Sequence, residues 1–204
     1  MKPLLISTNR LRLRRTCEGD GVSLFRNYCS DIGSSRFLTR QPHTDREQTI
    51  RFLNKWCDLA WGEDSLEFAW VVALENTNEA VGVFLVTVEG HKAQIHYGIG
   101  RDYEGQGLIT EAGHAVIEWL MTQPGLQKIW TVCDLDNYGS IKILEKWGFQ
   151  NEGILQKAPV ASGIWRGGPR LLHVCTSINT NDPHHFLQLS ALFLKWVGCC
   201  SPRP

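Results

Sequence analysis

Two hydrophobic periods divide this chain into strands and helices. Continuous apolar runs or strict alternation of apolar and polar residues indicate strands, and apolar residues every three or four positions indicate helices. The strand patterns cover residues 9–14, 68–74, 80–86, 93–99, 128–133, 152–156 and 171–176. The helix patterns cover residues 20–29, 45–61, 108–120 and 137–147, and a polar loop predicted over residues 34–43 separates the first two.

The order of these elements indicates the fold class. Three strands are joined by short polar turns at residues 75–79 and 89–92, and the third of them leads into a helix, a further strand and a further helix. Such an order predicts an α+β fold of three layers: a mixed, mostly antiparallel sheet with helices on both faces. In the alternating first strand, we expect the arginines at positions 10, 12 and 14 to form a solvated face.

The chain is expected to comprise one domain, residues 1–178, and a C-terminal extension, residues 179–204. The extension begins with Asp182-Pro183, which suits a helix start, and we expect it to continue as an amphipathic helix. Its apolar face contains Phe186, Leu189, Leu192, Phe193, Trp196 and Val197. This face could dock on the domain, on a second copy in a homodimer, or on another partner.

Composition excludes several classes. Of 204 residues, 43% are apolar, and 21 Lys and Arg balance 21 Asp and Glu, which argues against nucleic acid or an anionic membrane as the main partner. We find no apolar run that could span a bilayer, and the Met1–Ile6 start is too short for a signal peptide. The seven scattered cysteines, without a C-x-x-C pair, favour reduced thiols, no metal site and a cytoplasmic location.

A glycine turn carries the first candidate chemistry. Gly105 and Gly107 lie between the strand over residues 93–99 and the helix over residues 108–120. Backbone N–H groups at a helix N-terminus lack intrahelical partners and favour anions, and glycine allows close approach, so the turn suits a phosphate or pyrophosphate. An ordinary turn is the alternative. The sequence matches neither the Walker loop nor the dinucleotide fingerprint.

A second motif follows about thirty residues later. Asn137 precedes Ser140 by three residues in a helix that it can cap, and Glu145-Lys146-Trp147-Gly148-Phe149 closes this helix. The two motifs, in this order and spacing, resemble the GNAT superfamily of acyl-CoA-dependent N-acyltransferases, and within it the ribosomal-protein N-terminal acetyltransferases. The resemblance covers roughly residues 6–176.

The resemblance implies a twisted sheet in which acetyl-CoA, the co-substrate, lies between two splayed parallel strands, here residues 93–100 and 128–134. It implies that Ser140 protonates the leaving thiolate. The implied cofactor-binding residues are Tyr97, Gly98 and Ile99 for the pantetheine arm, Gly105, Gln106, Gly107, Leu108 and Ile109 for the pyrophosphate, and Asn137 for the arm from the other side.

Several positions depart from the family pattern. Glu104 replaces the arginine or glutamine that usually opens the turn, Ile109 replaces a small residue, and Leu144 replaces the tyrosine that protonates the thiolate in many members. Gln94 stands where many relatives carry a glutamate base. His96, two residues on along the same strand face, is the predicted relay base, with Glu67 and Asp134 as weaker candidates; a packed or solvent-facing histidine without a catalytic role is the alternative.

The expected reaction is direct attack of a primary amine on acetyl-CoA in a ternary complex. The amine could be a protein N-terminus, an amino sugar, a polyamine or an amino acid derivative, held between loops at residues 36–43 and 163–168. A non-catalytic acyl-CoA-binding module and a nucleotide-phosphate-binding protein are the alternatives.

Overall fold

A computed structural model describes residues 5–38, 40–62, 65–156 and 172–179. Its strands are β1 (Leu5–Ser7), β2 (Leu11–Arg14), β3 (Glu67–Leu74), β4 (Ala80–Glu89), β5 (Lys92–Ile99), β6 (Lys128–Asp134), β7 (Gln150–Gln156) and β8 (Leu172–Asn179). Its α-helices are α1 (Asp20–Leu24), α2 (Ile32–Ser35), α3 (Arg46–Leu53), α4 (Leu108–Met121) and α5 (Tyr138–Lys146). Wider π-helical turns, Phe25–Cys29 and Asn54–Asp58, continue α1 and α3, and short 3-10 turns follow at Leu59–Trp61 and Arg101–Tyr103.

The eight strands form one sheet in the order β1-β2-β3-β4-β5-β6-β8-β7. Every neighbouring pair in this sheet is antiparallel except β5 and β6, which run parallel. The prediction of a mixed, mostly antiparallel sheet is therefore confirmed. The single parallel pair arises because α4 connects β5 to β6 as a crossover, which returns the chain in the same direction.

Side chains alternate along β3 between two hydrophobic cores, one on each face of the sheet. Phe68 and Trp70 point to the core that contains α4 and α5, whereas Ala69 and Val71 point to the core that contains α1 and α3. Both faces are buried, so β3 is apolar nearly throughout instead of alternating with polar residues. The prediction of helices on both faces is confirmed.

Local signals set most helix starts. Asp45 caps α3 by accepting a hydrogen bond from the Gln48 N–H, and Asn137 caps α5 by accepting one from the Ser140 N–H. Asn137 is the predicted cap. Several boundaries differ from prediction: α1 is regular only to Leu24, α3 is regular only to Leu53, and the loop predicted over residues 34–43 begins with the end of α2. The short strand β1 was not predicted.

The expectation of a solvated arginine face on the first strand holds in part: the Arg10 and Arg12 side chains stay 40% and 43% exposed, but all three arginines are paired with carboxylates. Arg12 forms a two-pronged ion pair with Glu75, and Arg14 forms one with Asp20 whose side chains are only 12% and 3% exposed. Arg10 pairs with the buried Glu111. The three carboxylates lie 63, 6 and 101 positions away along the chain, so periodicity alone could not indicate them.

Two predictions concern parts of the chain that the structure does not describe. The C-terminal extension falls outside the described residues from position 180 on, and so does the loop at residues 163–168. Asn179 belongs to β8, one residue beyond the predicted domain end. Within the described ranges, none of the helices has the length and apolarity needed to cross a membrane.

Candidate active site

The parallel strands β5 and β6 separate partway along their length. They pair at three positions, Lys92–Lys128, Ala93–Ile129 and Gln94–Trp130, and the pairing then ends. At the fork, the buried Thr131 hydroxyl donates a hydrogen bond of 2.7 Å to the Ile95 carbonyl. Beyond this point a side chain replaces the backbone ladder, so the two strands diverge.

The divergence opens into a cleft of about 730 Å³. Its walls come from the end of β5, the glycine turn, the start of α5 and the segment after α1. Nine of the predicted site residues line it together: Tyr97, Gly98, Ile99, Gly105, Gly107, Leu108, Ile109, Asn137 and Ser140. The structure thus brings both sequence motifs, which are about thirty residues apart, to one surface.

The glycine turn presents a helix N-terminus to this cleft. Gly105 and Gly107 adopt left-handed φ angles of 71° and 75°, which favour glycine. Gly107 is the N-cap of the 14-residue α4, and no side chain in the described structure caps this helix. The first-turn N–H groups therefore remain available to an anion, and the helix dipole adds to their attraction.

The start of α5 forms the opposite wall. The Asn137 side chain accepts the Ser140 N–H at 3.1 Å, and the Tyr97 hydroxyl donates to the Ser140 carbonyl at 3.4 Å. The Tyr97 ring is held edge-on to Trp147, with 4.8 Å between ring centroids, and stacks on Phe84 at 5.9 Å. Burial raises the pKa of Tyr97, so its phenol stays protonated near neutral pH.

The sequence analysis did not predict that the Tyr97 hydroxyl would lie beside Ser140. The motif comparison assigned Tyr97 only backbone contacts. The signal available in the sequence was alternation along β5, which places Tyr97 on the face of α4 and α5 together with Ile95. Its proximity to Ser140 depends on how α5 packs, and no spacing rule predicts that.

Two predicted site residues do not line the cleft. The Gln106 side chain is exposed and donates to the Asp102 carbonyl at 2.9 Å. His96 points to the face of the sheet opposite Tyr97 and keeps contact with solvent, although the protein packed around its ring lowers its pKa by desolvation. The weaker base candidates, Glu67 and Asp134, also lie outside the cleft lining.

The loop that is predicted to hold the acceptor amine contributes one wall of the cleft. Arg36, Phe37 and Leu38 line it from the predicted loop, with the Arg36 guanidinium 4.9 Å above the Phe37 ring centroid. The buried Tyr28 packs against the backbone of Gly98 so closely that a Cβ at position 98 would overlap the phenol. Gly98 is therefore required for this wall to approach β5.

Charges around the cleft are mixed with an excess of cations. Arg36, Arg101, Lys142 and Lys146 line it, as do the carboxylates of Glu104 and Asp136. Lys142 and Lys146 are one helical turn apart on α5. Among the described residues, no group of three or more His, Cys, Asp or Glu side chains is placed to hold a metal ion.

Comparison with known proteins decides the family. The family model described as the acetyltransferase (GNAT) domain matches residues 10–150, which is more than half of the chain. The chain belongs to the GNAT acetyltransferase family. The splayed strands and the glycine turn are thus the GNAT frame, and acetyl transfer is the chemistry of this family.

Named relatives agree with this assignment. The uncharacterized N-acetyltransferase p20 of Bacillus licheniformis is 29% identical over 159 residues, covering 76% of this chain and 88% of that protein. The [ribosomal protein uS5]-alanine N-acetyltransferase of Escherichia coli is 31% identical over 108 residues, covering 51% of this chain and 53% of that protein. The chain is therefore an acetyltransferase similar to the ribosomal-protein branch of the family.

A solved structure shares the fold. Spermidine N-acetyltransferase from Vibrio cholerae, in complex with CoA and spermine, superposes with a TM-score of 0.67 at 17% identity, covering 85% of this chain and 97% of that chain. At this identity the likeness concerns the GNAT fold alone.

The structure shows where three residues that depart from the GNAT pattern lie. Glu104 is exposed and lines the cleft at the opening of the turn. Leu144 is buried in the core beneath α5, so it offers no proton donor. Ile109 is also buried, pointing its side chain into the core, which leaves its N–H on the side of the turn.

Proposed function

We propose that this GNAT protein transfers an acetyl group from acetyl-CoA to a primary amine by direct attack within a ternary complex. The observation that carries the proposal is the opening of β5 and β6 into a cleft that also receives the uncapped N-terminus of α4. An open strand edge beside a set of orphan N–H groups suits a ligand with both an amide-containing arm and phosphates.

The residues that line the cleft fit such a donor. Where β5 leaves β6, backbone groups of Tyr97, Gly98 and Ile99 would pair with the pantetheine amides. The N–H groups from Gly105 to Ile109 would hold the pyrophosphate, and this group includes Gln106 through its backbone only. Lys142 and Lys146 would add positive charge for the phosphates.

Proton transfer to the leaving thiolate is assigned to the start of α5. Ser140 lines the cleft there, and the protonated Tyr97 phenol lies beside it. Because Leu144 cannot donate a proton, we assign this role to these two hydroxyls among the several that line the cleft. General acid assistance of this kind contributes about 10²- to 10⁴-fold in rate, and less when the leaving group is already stable as an anion.

A covalent acetyl-cysteine relay is disfavoured. Cys133 lies on the diverging strand β6, and burial raises the pKa of its thiol to about 11. The thiolate, which is the nucleophilic form, is therefore scarce at neutral pH. Direct attack by the amine needs no such intermediate.

The base remains assigned to His96, acting through solvent. Desolvation lowers its pKa, so the imidazole is neutral at pH 7 and able to accept a proton. Because His96 does not line the cleft, the proton would travel through water instead of by direct contact. An amine that arrives already deprotonated is the alternative.

The charge of the acceptor side favours certain amines. Arg36 lines this side, and the part of the wall at residues 36–38 carries no carboxylate. A polycationic acceptor would be repelled there more strongly than the single α-amino group of a peptide. We therefore favour a protein or peptide N-terminus over a polyamine, in line with the relative that acetylates ribosomal protein uS5.

The second candidate is a non-catalytic acyl-CoA-binding module. The exposed carboxylate of Glu104 at the phosphate turn and the missing phenol at Leu144 favour it. Two assays separate the candidates: a thermal shift with acetyl-CoA detects binding, and CoA release in the presence of peptides and polyamines detects transfer. Binding without acceptor-dependent release would support the module.

A further inference from the structure

A buried carboxylate stands directly above the glycine turn. Glu111 lies in the first turn of α4, where its N–H donates to the Gly107 carbonyl at 3.0 Å. Its side chain is only 5% exposed. A buried carboxylate needs hydrogen-bond donors, and the segment before β2 supplies those of Glu111.

The contacts of Glu111 are short and well formed. It accepts hydrogen bonds from the Thr8 hydroxyl at 2.6 Å, from the Arg10 N–H at 2.9 Å and from the Arg10 Nε at 2.7 Å. Two of the three come from Arg10, through its backbone and its side chain together. The position of Arg10 relative to α4 is thereby set by two hydrogen bonds to one carboxylate.

The same guanidinium reaches the turn itself. Arg10 Nη1 donates to the Gln106 carbonyl at 3.0 Å, and Nη2 is 3.7 Å from the place that a Cβ on Gly107 would occupy. One side chain therefore joins the peptide before Gly107 to the helix turn after it. The left-handed Gly107 is held on both sides.

The charge of Arg10 has a second consequence. An unpaired carboxylate at Glu111 would oppose an anion at the N-terminus of α4, and the exposed Glu104 already adds one negative charge to the cleft. Pairing with Arg10 cancels the Glu111 charge at close range. The guanidinium next to the turn therefore comes from the segment between β1 and β2, and not from position 104.

We propose that Arg10 is a positioning residue for the pyrophosphate of acetyl-CoA: it holds the Gly105–Gly107 turn in its binding shape and neutralises Glu111. The inference rests on the proposed function. It assigns a role in cofactor affinity to a residue in the segment between β1 and β2, 95 positions before Gly105.

The test compares two acetyl donors that differ in their phosphates. Acetyl-CoA carries the pyrophosphate, whereas acetyl-pantetheine carries the same arm and thioester without it. Arg10→Gln should raise the KM for acetyl-CoA by about 10- to 100-fold, the range expected when a charge-assisted hydrogen bond is lost, and leave kcat nearly unchanged. The KM for acetyl-pantetheine should change less than about twofold.

Arg12→Gln is the matched control. Arg12 is two residues away, and its replacement also removes an ion pair with a carboxylate, here the two-pronged one with Glu75, but Arg12 does not touch the turn. Both KM values should stay at the wild-type level in this variant. Arg10→Lys is a second test variant that keeps the charge near Glu111 but cannot bond Glu111 and Gln106 with the same planar fork. Its KM for acetyl-CoA should lie between those of the wild type and Arg10→Gln.

Two results would overturn the inference. An unchanged KM for acetyl-CoA in a folded Arg10→Gln protein would do so, and so would equal losses with both donors, which indicate a purely structural role. A wild-type protein whose melting temperature is unaffected by acetyl-CoA would instead refute the proposed function, and the two failures are therefore distinguishable.

Discussion

Replacing Gly107 with alanine tests how the glycine turn contributes to cofactor binding. Gly107 has a φ of 75°, in the left-handed region. An added Cβ would meet only Arg10 Nη2, at 3.7 Å, which is ordinary contact. Alanine at this position is therefore disfavoured by backbone strain and not by a clash within the protein.

The strain sets the size of the effect. A left-handed conformation costs a residue with a Cβ about 1–2 kcal/mol. If the free turn relaxes to relieve this strain, binding must restore the strained shape and loses the same free energy. Since 1.4 kcal/mol corresponds to tenfold, the Kd for acetyl-CoA should rise by about 5- to 30-fold.

Gly125→Ala provides the matched control. Gly125 has a φ of 82°, nothing lies within 4 Å of an added Cβ, and it is located in the turn before β6. Gly125→Ala should lower the free energy of unfolding by up to about 1–2 kcal/mol, and Gly107→Ala should lower it by less because its free turn relaxes, as denaturant titration would measure. Only Gly107→Ala should bind acetyl-CoA more weakly by calorimetry. Equal Kd values for both variants and the wild type would refute the role of the turn.

Three further predictions follow from the cleft and its supporting core. Ser140→Ala should lower kcat by up to about 100-fold with little change in the KM for acetyl-CoA, as steady-state kinetics would measure; an unchanged kcat would reassign the proton to Tyr97 or water. His96→Gln should remove an acidic limb from the pH profile of kcat/KM. Because the base must be neutral and desolvation lowers its pKa, activity should fall only below about pH 6.5 in the wild type, and a variant with the same limb contradicts the assignment. Gly113→Ala should lower the free energy of unfolding by about 1–3 kcal/mol, because its Cβ would overlap the buried Trp147 indole; an unchanged denaturation midpoint would contradict this packing.

Much of the fold was predictable because its signals are local. The apolar periods indicate α4 and the strands on either side of it. Asn137 indicates the start of α5 because its side chain can cap a helix. Gly105 and Gly107 indicate a turn that needs positive φ. These features depend on residues within one or two turns of each other, and so do not require knowledge of the tertiary structure.

The remaining features depend on contacts between distant segments. The Arg10 side chain meets Glu111 only after the N-terminal segment is placed beside α4, and the Tyr97 hydroxyl meets Ser140 only after α5 packs on the sheet. The fork between β5 and β6 depends on Thr131 bonding to Ile95 across strands. No periodicity encodes such pairs, so the family resemblance indicated which two strands splay but not the residue at which their pairing ends.

The position of His96 shows a different limit. Alternation correctly separates it from Tyr97, but it does not say which face of β5 adjoins the reacting groups. The assignment to a base followed from residue type and strand position. The structure places the side chain outside the cleft lining, so any role must act through water.

Acetyl transfer itself is tested most directly by measuring CoA release and acetylated product together. Wild-type protein, acetyl-CoA and a panel of amines would be used, including peptides with free N-termini, spermidine, amino sugars and amino acids. We predict acceptor-dependent CoA release matched by an equal amount of N-acetylated product. The rate of release should be higher with peptides than with spermidine. Tight binding of acetyl-CoA with no acetylated product from any amine would contradict catalysis and leave a binding module.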